Sequence, residues 1–275
     1  MERSDNINPM PSGNLYHNLN KIRHSREAPR FLFLLLLLVL WQTVSGLGLV
    51  PPYMLPSPLR IVRALAREFP LLARHTGVTL LETAAGLSLS LAASFVLAIL
   101  MDNAAFLRKQ LMPVLLFTQT VPTIAVAPLL VLWLGYGASP KIALVFITCF
   151  FPLTVGLLGG FQSADEDAVQ LLKSMGADKG QIYRYLKLPS SLPGFFSGLR
   201  IAGSYAVIAA VVAEWLGGNS GLGVYMIRVR KSYSFDKMFA VILLTATLSL
   251  LLIRAIEALE KRTLRWKTTG LRDNK

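Results

Sequence analysis

Long apolar runs dominate this chain and restrict it to folds that are stable in a lipid bilayer. A helix needs roughly 20 apolar residues to cross about 30 Å of hydrocarbon, and six runs reach that length. They are Phe31–Val50, Gly77–Met101, Leu111–Gly135, Lys141–Phe161, Phe195–Gly217 and Met238–Leu259. Because a helix satisfies its own backbone hydrogen bonds in lipid, the sequence predicts an all-α membrane protein with six transmembrane helices.

The composition agrees with a membrane protein and argues against several other classes. Hydrophobic residues make up 53% of the 275 residues, and the formal net charge is +13. The basic residues lie at the chain ends and between apolar runs, which favours anionic lipid headgroups over nucleic acid. The single Cys149 excludes an intrachain disulfide, and the three histidines have no metal-ligand spacing. We therefore expect no metal site.

The distribution of Lys and Arg predicts the orientation of the chain. With a cytoplasmic N-terminus, eighteen of these residues face the cytoplasm and nine face outward, which favours cytoplasmic N- and C-termini. Residues 1–30 are polar and predicted to be a disordered tail. Residues 261–275 form a basic cytoplasmic tail. A cleaved signal peptide is the alternative for the first run, but no A-x-A-like site follows it.

Two regions are predicted to depart from simple spanning helices. In residues 31–76 the first helix is followed by an outer loop, where Leu59, Val62, Leu65 and Phe69 share one helical face and predict a surface helix. In residues 77–260, the predicted core, the third run holds three prolines. Pro113, Pro122 and Pro128 predict kinks or a broken helix.

A polar segment, Ser163–Pro193, interrupts the apolar pattern and is too long for a tight turn. Ser163 with Glu166, and Asp178 with Gln181, are typical of helix-capping boxes. Between them Gly176 suits the left-handed residue that ends a helix. The sequence therefore predicts a pair of helices at 163–193, with the second ending before Pro189.

Each helix of this pair carries an apolar stripe. The first stripe is Ala168, Leu171, Leu172 and Met175, and the second is Ile182, Tyr185 and Leu186. Such stripes either pack on the chain's own membrane helices or enter a groove on a partner.

The segment resembles the cytoplasmic loop of ABC importer permeases of the nitrate/sulfonate/taurine type. Gly176, Ile182 or Tyr185, Leu188 and Pro189 match that family's pattern, whereas Gln170, Leu171 and Leu172 stand where it has Glu-Ala-Ala. The similarity extends over roughly residues 55–265. Further stretches that carry it are Thr120–Gly137, Phe150–Gly160 and Leu188–Gly223. The Leu80–Gly86 and Glu214–Gly223 stretches most resemble permeases for thiamine-pyrimidine precursors.

The resemblance implies a type I ABC importer permease fold with a cytoplasmic coupling-helix pair. It implies three protein partners: a cytoplasmic ATPase that holds ATP and Mg, an extracytoplasmic binding protein, and a second permease copy. The expected location is the bacterial inner membrane, with a thiamine-pyrimidine precursor, a sulfonate or taurine, or nitrate as substrate. The chain lacks a G-x-x-x-x-G-K-[ST] loop, so we expect it to be no enzyme and to hold no cofactor. The residues expected to contact the ATPase are Asp165, Glu166, Ala168, Leu171, Leu172, Met175, Gly176, Ala177, Ile182, Leu188 and Pro189.

A second set of residues is predicted to line the translocation pathway. These are Glu82, Thr118, Thr120, Pro122, Ala206, Ala210 and Glu214. An acidic residue beside hydrocarbon is costly and often functional. The alternatives are ordinary helix packing for the ridge of small residues from Gly198 to Ala210, and interhelical or helix-end hydrogen bonds for the polar residues.

Two other functions fit an apolar chain with a polar helical pair. One is a secondary transporter or channel that acts alone, although inverted repeats and midplane charges are not evident. The other is a structural membrane protein that recruits a soluble enzyme without transport.

Overall fold

The computed structural model describes residues 32–48, 50–51 and 53–264, and every regular element in them is helical. The predicted N-terminal tail and most of the predicted C-terminal tail lie outside the described residues. The chain divides into two compact units, residues 1–62 and 63–275.

The first unit contains a short apolar helix, α1, at Leu32–Gly46. Its described part is about 22 Å long at ~1.5 Å per residue, and Phe31 and Leu49 of the predicted span Phe31–Val50 lie outside the described residues. The Ser45 hydroxyl donates a hydrogen bond to the Leu55 carbonyl at 2.7 Å and holds the following turn. A helix is present at the predicted place as α2, which runs over Pro58–Arg67, but Phe69 of the predicted face begins the next helix; its place on the outer side stays a prediction.

The second unit is a bundle of membrane-length and shorter helices. They are α3 Phe69–Asn103, α4 Ala105–Thr120, α5 Thr123–Leu134, α6 Ser139–Gln162, α7 Glu166–Ser174, α8 Lys179–Ile182, α9 Leu188–Glu214, α10 Leu222–Lys231 and α11 Phe235–Thr263. In the part of the chain that is described, four helices are long and apolar enough to cross a membrane, and the pair α4 and α5 makes a fifth if it is one bent span. Within these residues the predicted count of six spans is not confirmed, because the described helix α1 is shorter than a membrane span.

The third predicted span is broken where its prolines predict. Helices α4 and α5 meet at an angle of 99°. Val121 has an extended backbone (ψ 123°) directly before Pro122, which is the N-cap of α5. A residue before proline is pushed out of helical geometry by the proline ring, so the break follows from the local sequence.

Helices α3, α6, α9 and α11 all have one terminus near the α7–α8 segment. We call this the coupling end of the bundle, marked by Asn103, Gln162 and Leu188. The opposite end is marked by Phe69, Ser139 and Glu214. The side chains packed between α6 and α9 form a buried core. Its members are Val145, Cys149, Leu153, Ala202, Ala206, Ala209 and Ala210.

Helices α6 and α9 approach each other through glycines spaced four apart on both sides. A Cβ atom on Gly156 would lie 2.6 Å from the Gly194 carbonyl oxygen, and one on Gly194 would lie 2.6 Å from the Gly156 carbonyl oxygen. On Gly160 it would lie 2.6 Å from the Ser191 Cα atom. Small residues that allow backbones to touch are the usual means of helix association in lipid. This contact fixes α9 against α6 and sets the geometry of the groove beside it.

Candidate translocation groove and coupling segment

The coupling segment, residues 163–189, begins with a helix whose cap differs from the predicted one. Asp165 is the N-cap of α7, and its carboxylate accepts a hydrogen bond from the Asp167 backbone N–H at 2.9 Å. Ser163 instead keeps helical dihedrals at the end of α6, and its hydroxyl donates to the Gly160 carbonyl. The predicted capping box of Ser163 and Glu166 is therefore wrong, because an N-cap needs the extended backbone that Asp165 has.

The bend and the second cap agree with the sequence. Gly176 has φ +83°, and the Ala177 N–H bonds the Leu172 carbonyl at 3.0 Å, as in a left-handed helix ending. Asp178 and Gln181 form the predicted reciprocal capping box, with bonds of 2.7 and 2.9 Å.

The second helix does not end at Pro189, which corrects the sequence prediction. A π-helical turn, Tyr183–Lys187, leads directly into α9, and Leu188 keeps helical dihedrals. The Leu188 N–H reaches back five residues to the Tyr183 carbonyl. This wider turn lets the proline, which has no N–H, enter the helix at its start.

The two apolar stripes have different environments in the chain. Ile182 is buried against the bundle, at 5% exposure. In contrast Leu171 and Met175 of α7 and Tyr185 of the π-turn are 62%, 75% and 66% exposed. The second helix thus packs partly on its own chain, and α7 presents uncovered apolar side chains to the surroundings.

A groove lies beside the α6–α9 contact and starts at the coupling end. Its volume is about 780 Å³, and Ser163 and Ser190 lie at that end while Tyr205 lies deeper. A second cavity of about 310 Å³ continues it and shares Gln119, Phe151 and Tyr205 with it. The lining of both cavities, as far as the described residues form it, contains no charged side chain.

The polar side chains that line the groove are hydroxyls and one amide, and Phe151 and Tyr205 add aromatic rings. Thr118, Gln119, Thr123 and Thr148 line the second cavity. The groove can therefore offer hydrogen bonds and aromatic faces to a passing molecule, but no fixed charge.

Only part of the predicted pathway set lies at this groove. Thr118 lines it, and Pro122 makes the break next to it. Thr120 is exposed, and its hydroxyl bonds its own helix. Ala206 and Ala210 are fully buried in the α6–α9 core, the position that ordinary helix packing predicts. Whether substrate contacts any of them stays a prediction.

Glu82 and Glu214 lie in a buried polar cluster toward the opposite end of the bundle. Glu214 accepts hydrogen bonds from the Thr79 hydroxyl at 2.7 Å and from the Gly223 N–H at 2.5 Å. Glu82 forms an ion pair with Lys141 at 2.7 Å, with both side chains at most 7% exposed. This arrangement matches the interhelical alternative for Glu82.

The buried cluster holds the turn between α9 and α10. His75 Nδ1 accepts a bond from the Gly221 N–H at 2.9 Å, and Lys141 donates to the Ser220 carbonyl at 3.3 Å. Gly221 has φ +123°, and a Cβ atom there would meet the Glu214 carboxylate. The cluster thus explains the glycines of the Glu214–Gly223 stretch as a turn folded over a buried carboxylate.

Sequence reasoning missed two sets of residues. Lys141 stands at the start of the fourth predicted span, and no signal in one sequence identifies its partner Glu82, 59 residues away. The facing glycine pairs, Gly156 with Gly160 and Gly194 with Gly198, were detectable as small residues four apart in two apolar runs.

Comparison with solved structures confirms the predicted fold. A chain of the MetNI methionine ABC transporter, solved in inward-facing conformations, matches with a TM-score of 0.64 over 72% of this chain and 98% of that one, at 18% identity. The fold is that of a type I ABC importer permease.

Comparison with known sequences identifies the family. The formylaminopyrimidine transport permease protein ThiX of Halalkalibacterium halodurans is 39% identical over 86% of this chain and 94% of its own length. The taurine transport system permease protein TauC of Escherichia coli is 28% identical over 85% of this chain and 87% of its own length. The predicted membership of the nitrate/sulfonate/taurine type, with its thiamine-precursor branch, is confirmed. Residues 86–265 match the model of the binding-protein-dependent transport system inner membrane component. The chain therefore belongs to this family, as a multi-pass permease component of an ABC transporter rather than its catalytic subunit.

Proposed function

We propose that this chain is the membrane subunit of an ATP-driven importer for an uncharged pyrimidine of the formylaminopyrimidine class. A separate ATPase, which holds ATP and Mg, binds the coupling segment on the cytoplasmic side. A binding protein delivers the substrate at the opposite end, and a second copy of the chain completes the pathway. The N- and C-termini are cytoplasmic, as the excess of Lys and Arg at that side predicts.

The uncovered stripe of α7 supports the ATPase contact. An apolar stripe on a capped helix is suited to a hydrophobic groove on a partner. The side chains of Leu171 and Met175 are the ones left open for that contact. Helix α8, which follows α7, runs without a break through the π-turn into α9, so a force on the coupling segment acts on α9.

The uncharged groove supports the substrate class, and it is the observation that carries this proposal. A sulfonate or nitrate has a full negative charge, which is costly to move through a low-dielectric site without a cationic partner. The groove offers Gln119 and threonine hydroxyls together with Phe151 and Tyr205. Those groups match the ring nitrogens, amino groups and flat face of a neutral pyrimidine. The greater identity to the formylaminopyrimidine permease than to the taurine permease agrees with this choice.

The proposal is tested by uptake into proteoliposomes that contain the chain, its ATPase and its binding protein. We expect ATP-dependent uptake of labelled formylaminopyrimidine, and no competition from excess taurine. Gln119→Ala should reduce uptake, whereas Thr247→Ala should leave it unchanged, because the Thr247 hydroxyl bonds only its own helix and does not line the groove. Uptake of taurine in preference to the pyrimidine would refute the substrate class. Uptake by the chain without the ATPase would favour a transporter that acts alone.

A further inference from the structure

The last turn of α3 is fastened to the π-turn by a cluster of polar side chains. The Lys187 ammonium donates to Asp102 Oδ2 at 2.5 Å, and the Tyr183 hydroxyl donates to the same oxygen. The Asp102 side chain is only 5% exposed, and that of Lys187 is 20% exposed. A nearly buried carboxylate at a helix end is thus paired with residues of another segment. We call these three residues the α3 clasp.

The position of Tyr183 in the clasp is fixed from several directions. Its ring packs edge-on against Phe161 at the end of α6, with 5.5 Å between ring centres. The Asn103 side-chain amide donates to its hydroxyl at 2.9 Å, and the Lys187 ammonium lies 5.1 Å from its ring centre. The clasp therefore ties the ends of α3 and α6 to one turn of the coupling segment.

The clasp lies at the place where the coupling segment becomes a membrane helix. Tyr183 and Lys187 are the first and last residues of the π-turn, and no loop separates it from α8 or α9. Single π-turns within helices occur frequently at functional sites. A displacement of α8 reaches α9 through this turn, and the clasp is the polar contact through which α3 would follow.

Helix α3 is also held at the opposite end of the bundle. It carries Thr79 and Glu82 of the buried cluster that holds the α9–α10 turn at the opposite end. A rigid helix that is fastened at both ends connects the two faces of the bundle. Rigid elements with defined contacts at each end are the physical basis for coupling between distant sites.

From this geometry we propose that Asp102, held by Tyr183 and Lys187, is a positioning residue that makes α3 follow the coupling segment during the ATPase cycle. The proposal rests on the proposed function. The proposal extends that function by assigning the contact through which ATP hydrolysis is coupled to opening of the groove. Loss of the clasp leaves ATP hydrolysis in place and disconnects it from transport.

The test measures substrate molecules transported per ATP hydrolysed by the reconstituted complex. Asp102→Ala leaves the Lys187 ammonium and the Tyr183 hydroxyl without their shared acceptor, so this ratio should fall about tenfold, the size typical of a lost hydrogen bond to a charged group. Tyr183→Phe keeps the ring contacts and the Lys187–Asp102 ion pair and removes only the two hydrogen bonds of the hydroxyl, with Asp102 and Asn103, so a smaller fall is expected. ATP hydrolysis and ATPase association should remain.

A charge exchange separates positioning from mere stability. Asp102→Lys and Lys187→Asp should each uncouple the complex, and the double variant should recover a substantial part of the ratio. The matched control is Arg200→Gln, which breaks the more exposed Arg200–Glu260 ion pair of 3.7 Å between α9 and α11 and leaves both ends of α3 intact. That variant should transport with the wild-type ratio.

Two results would overturn the proposal while leaving the proposed function intact. One is a wild-type ratio in Asp102→Ala. The other is a normal ratio in the complexes that do assemble, accompanied only by lower yield and lower thermal stability, since that pattern shows a structural role alone. In contrast, absence of ATP-driven uptake by the wild-type complex would refute the proposed function itself, and with it this inference.

Discussion

The exposed side chain of Leu171 on α7 gives the most direct quantitative prediction for the ATPase contact. Leu→Ala removes one CH and two CH₃ groups. Full burial of these groups stabilises a complex by about 2.4 kcal/mol, at ~0.8 kcal/mol for each. Leu171 is 62% exposed in the free chain, so about 1.5 kcal/mol of that is available to be gained against the partner. This corresponds to roughly a tenfold increase in Kd for the ATPase in Leu171→Ala.

The assay is the affinity of the purified ATPase for the permease held in nanodiscs. Leu81→Ala is the matched control, because Leu81 is 73% exposed but lies roughly 30 Å along α3 from the coupling end. Its Kd should equal that of the wild type. An unchanged Kd in Leu171→Ala, or an equal loss of affinity in Leu81→Ala, would refute the argument that the α7 stripe is the contact surface.

Three further predictions follow from individual contacts. Gly160→Ala should lower the free energy of unfolding by about 1–3 kcal/mol through a clash with the α9 backbone, whereas Gly159→Ala, where the added methyl group meets open space, should be neutral; equal melting temperatures in detergent would contradict this. Glu214→Ala should cost about 1–3 kcal/mol, because the buried Gly223 N–H loses its acceptor, and an unchanged melting temperature would exclude a role for this bond. Gly176→Ala should cost about 1 kcal/mol from its positive φ alone and weaken ATPase binding, which a normal pull-down of the ATPase would disprove.

The membrane helices could be predicted because their signal is local. Whether a segment is stable in lipid depends on its own side chains, so hydropathy located α3, α6, α9 and α11 within a few residues of most of their ends. The break before Pro122 is also local, since the proline ring acts on the preceding residue. The capping box at Asp178 and the bend at Gly176 were predictable for the same reason.

The errors at Ser163 and Pro189 arose where neighbouring structure competes with a local signal. Ser163 has a capping pattern, but α6 continues to it and keeps its backbone helical, so Asp165 caps instead. Pro189 usually ends a helix, but a π-turn accommodates it. The packing of Ile182 and Tyr183 on the bundle holds that turn in place, and a single sequence does not reveal such packing.

The polar contacts between distant segments were the least predictable part of the candidate site. Asp102 and Lys187 are 85 residues apart, and Thr79 and Glu214 are 135 apart. Sequence patterns state which residue types are unusual in an apolar helix, and so drew attention to Glu82 and Glu214. They do not state which groups meet. The structure shows that Glu214 forms a hydrogen bond, and Glu82 an ion pair, with a residue of another helix.

The central claim is that the groove beside the α6–α9 contact is the path of an uncharged pyrimidine. The most direct measurement is thiol labelling of Ser197→Cys, a groove position, in a chain where the buried Cys149 is replaced by Ala. We predict that formylaminopyrimidine protects this thiol, that ATP trapping changes its labelling rate, and that Lys231→Cys at the opposite end responds to neither. Labelling of Ser197→Cys that is unaffected by both the pyrimidine and ATP would contradict the account.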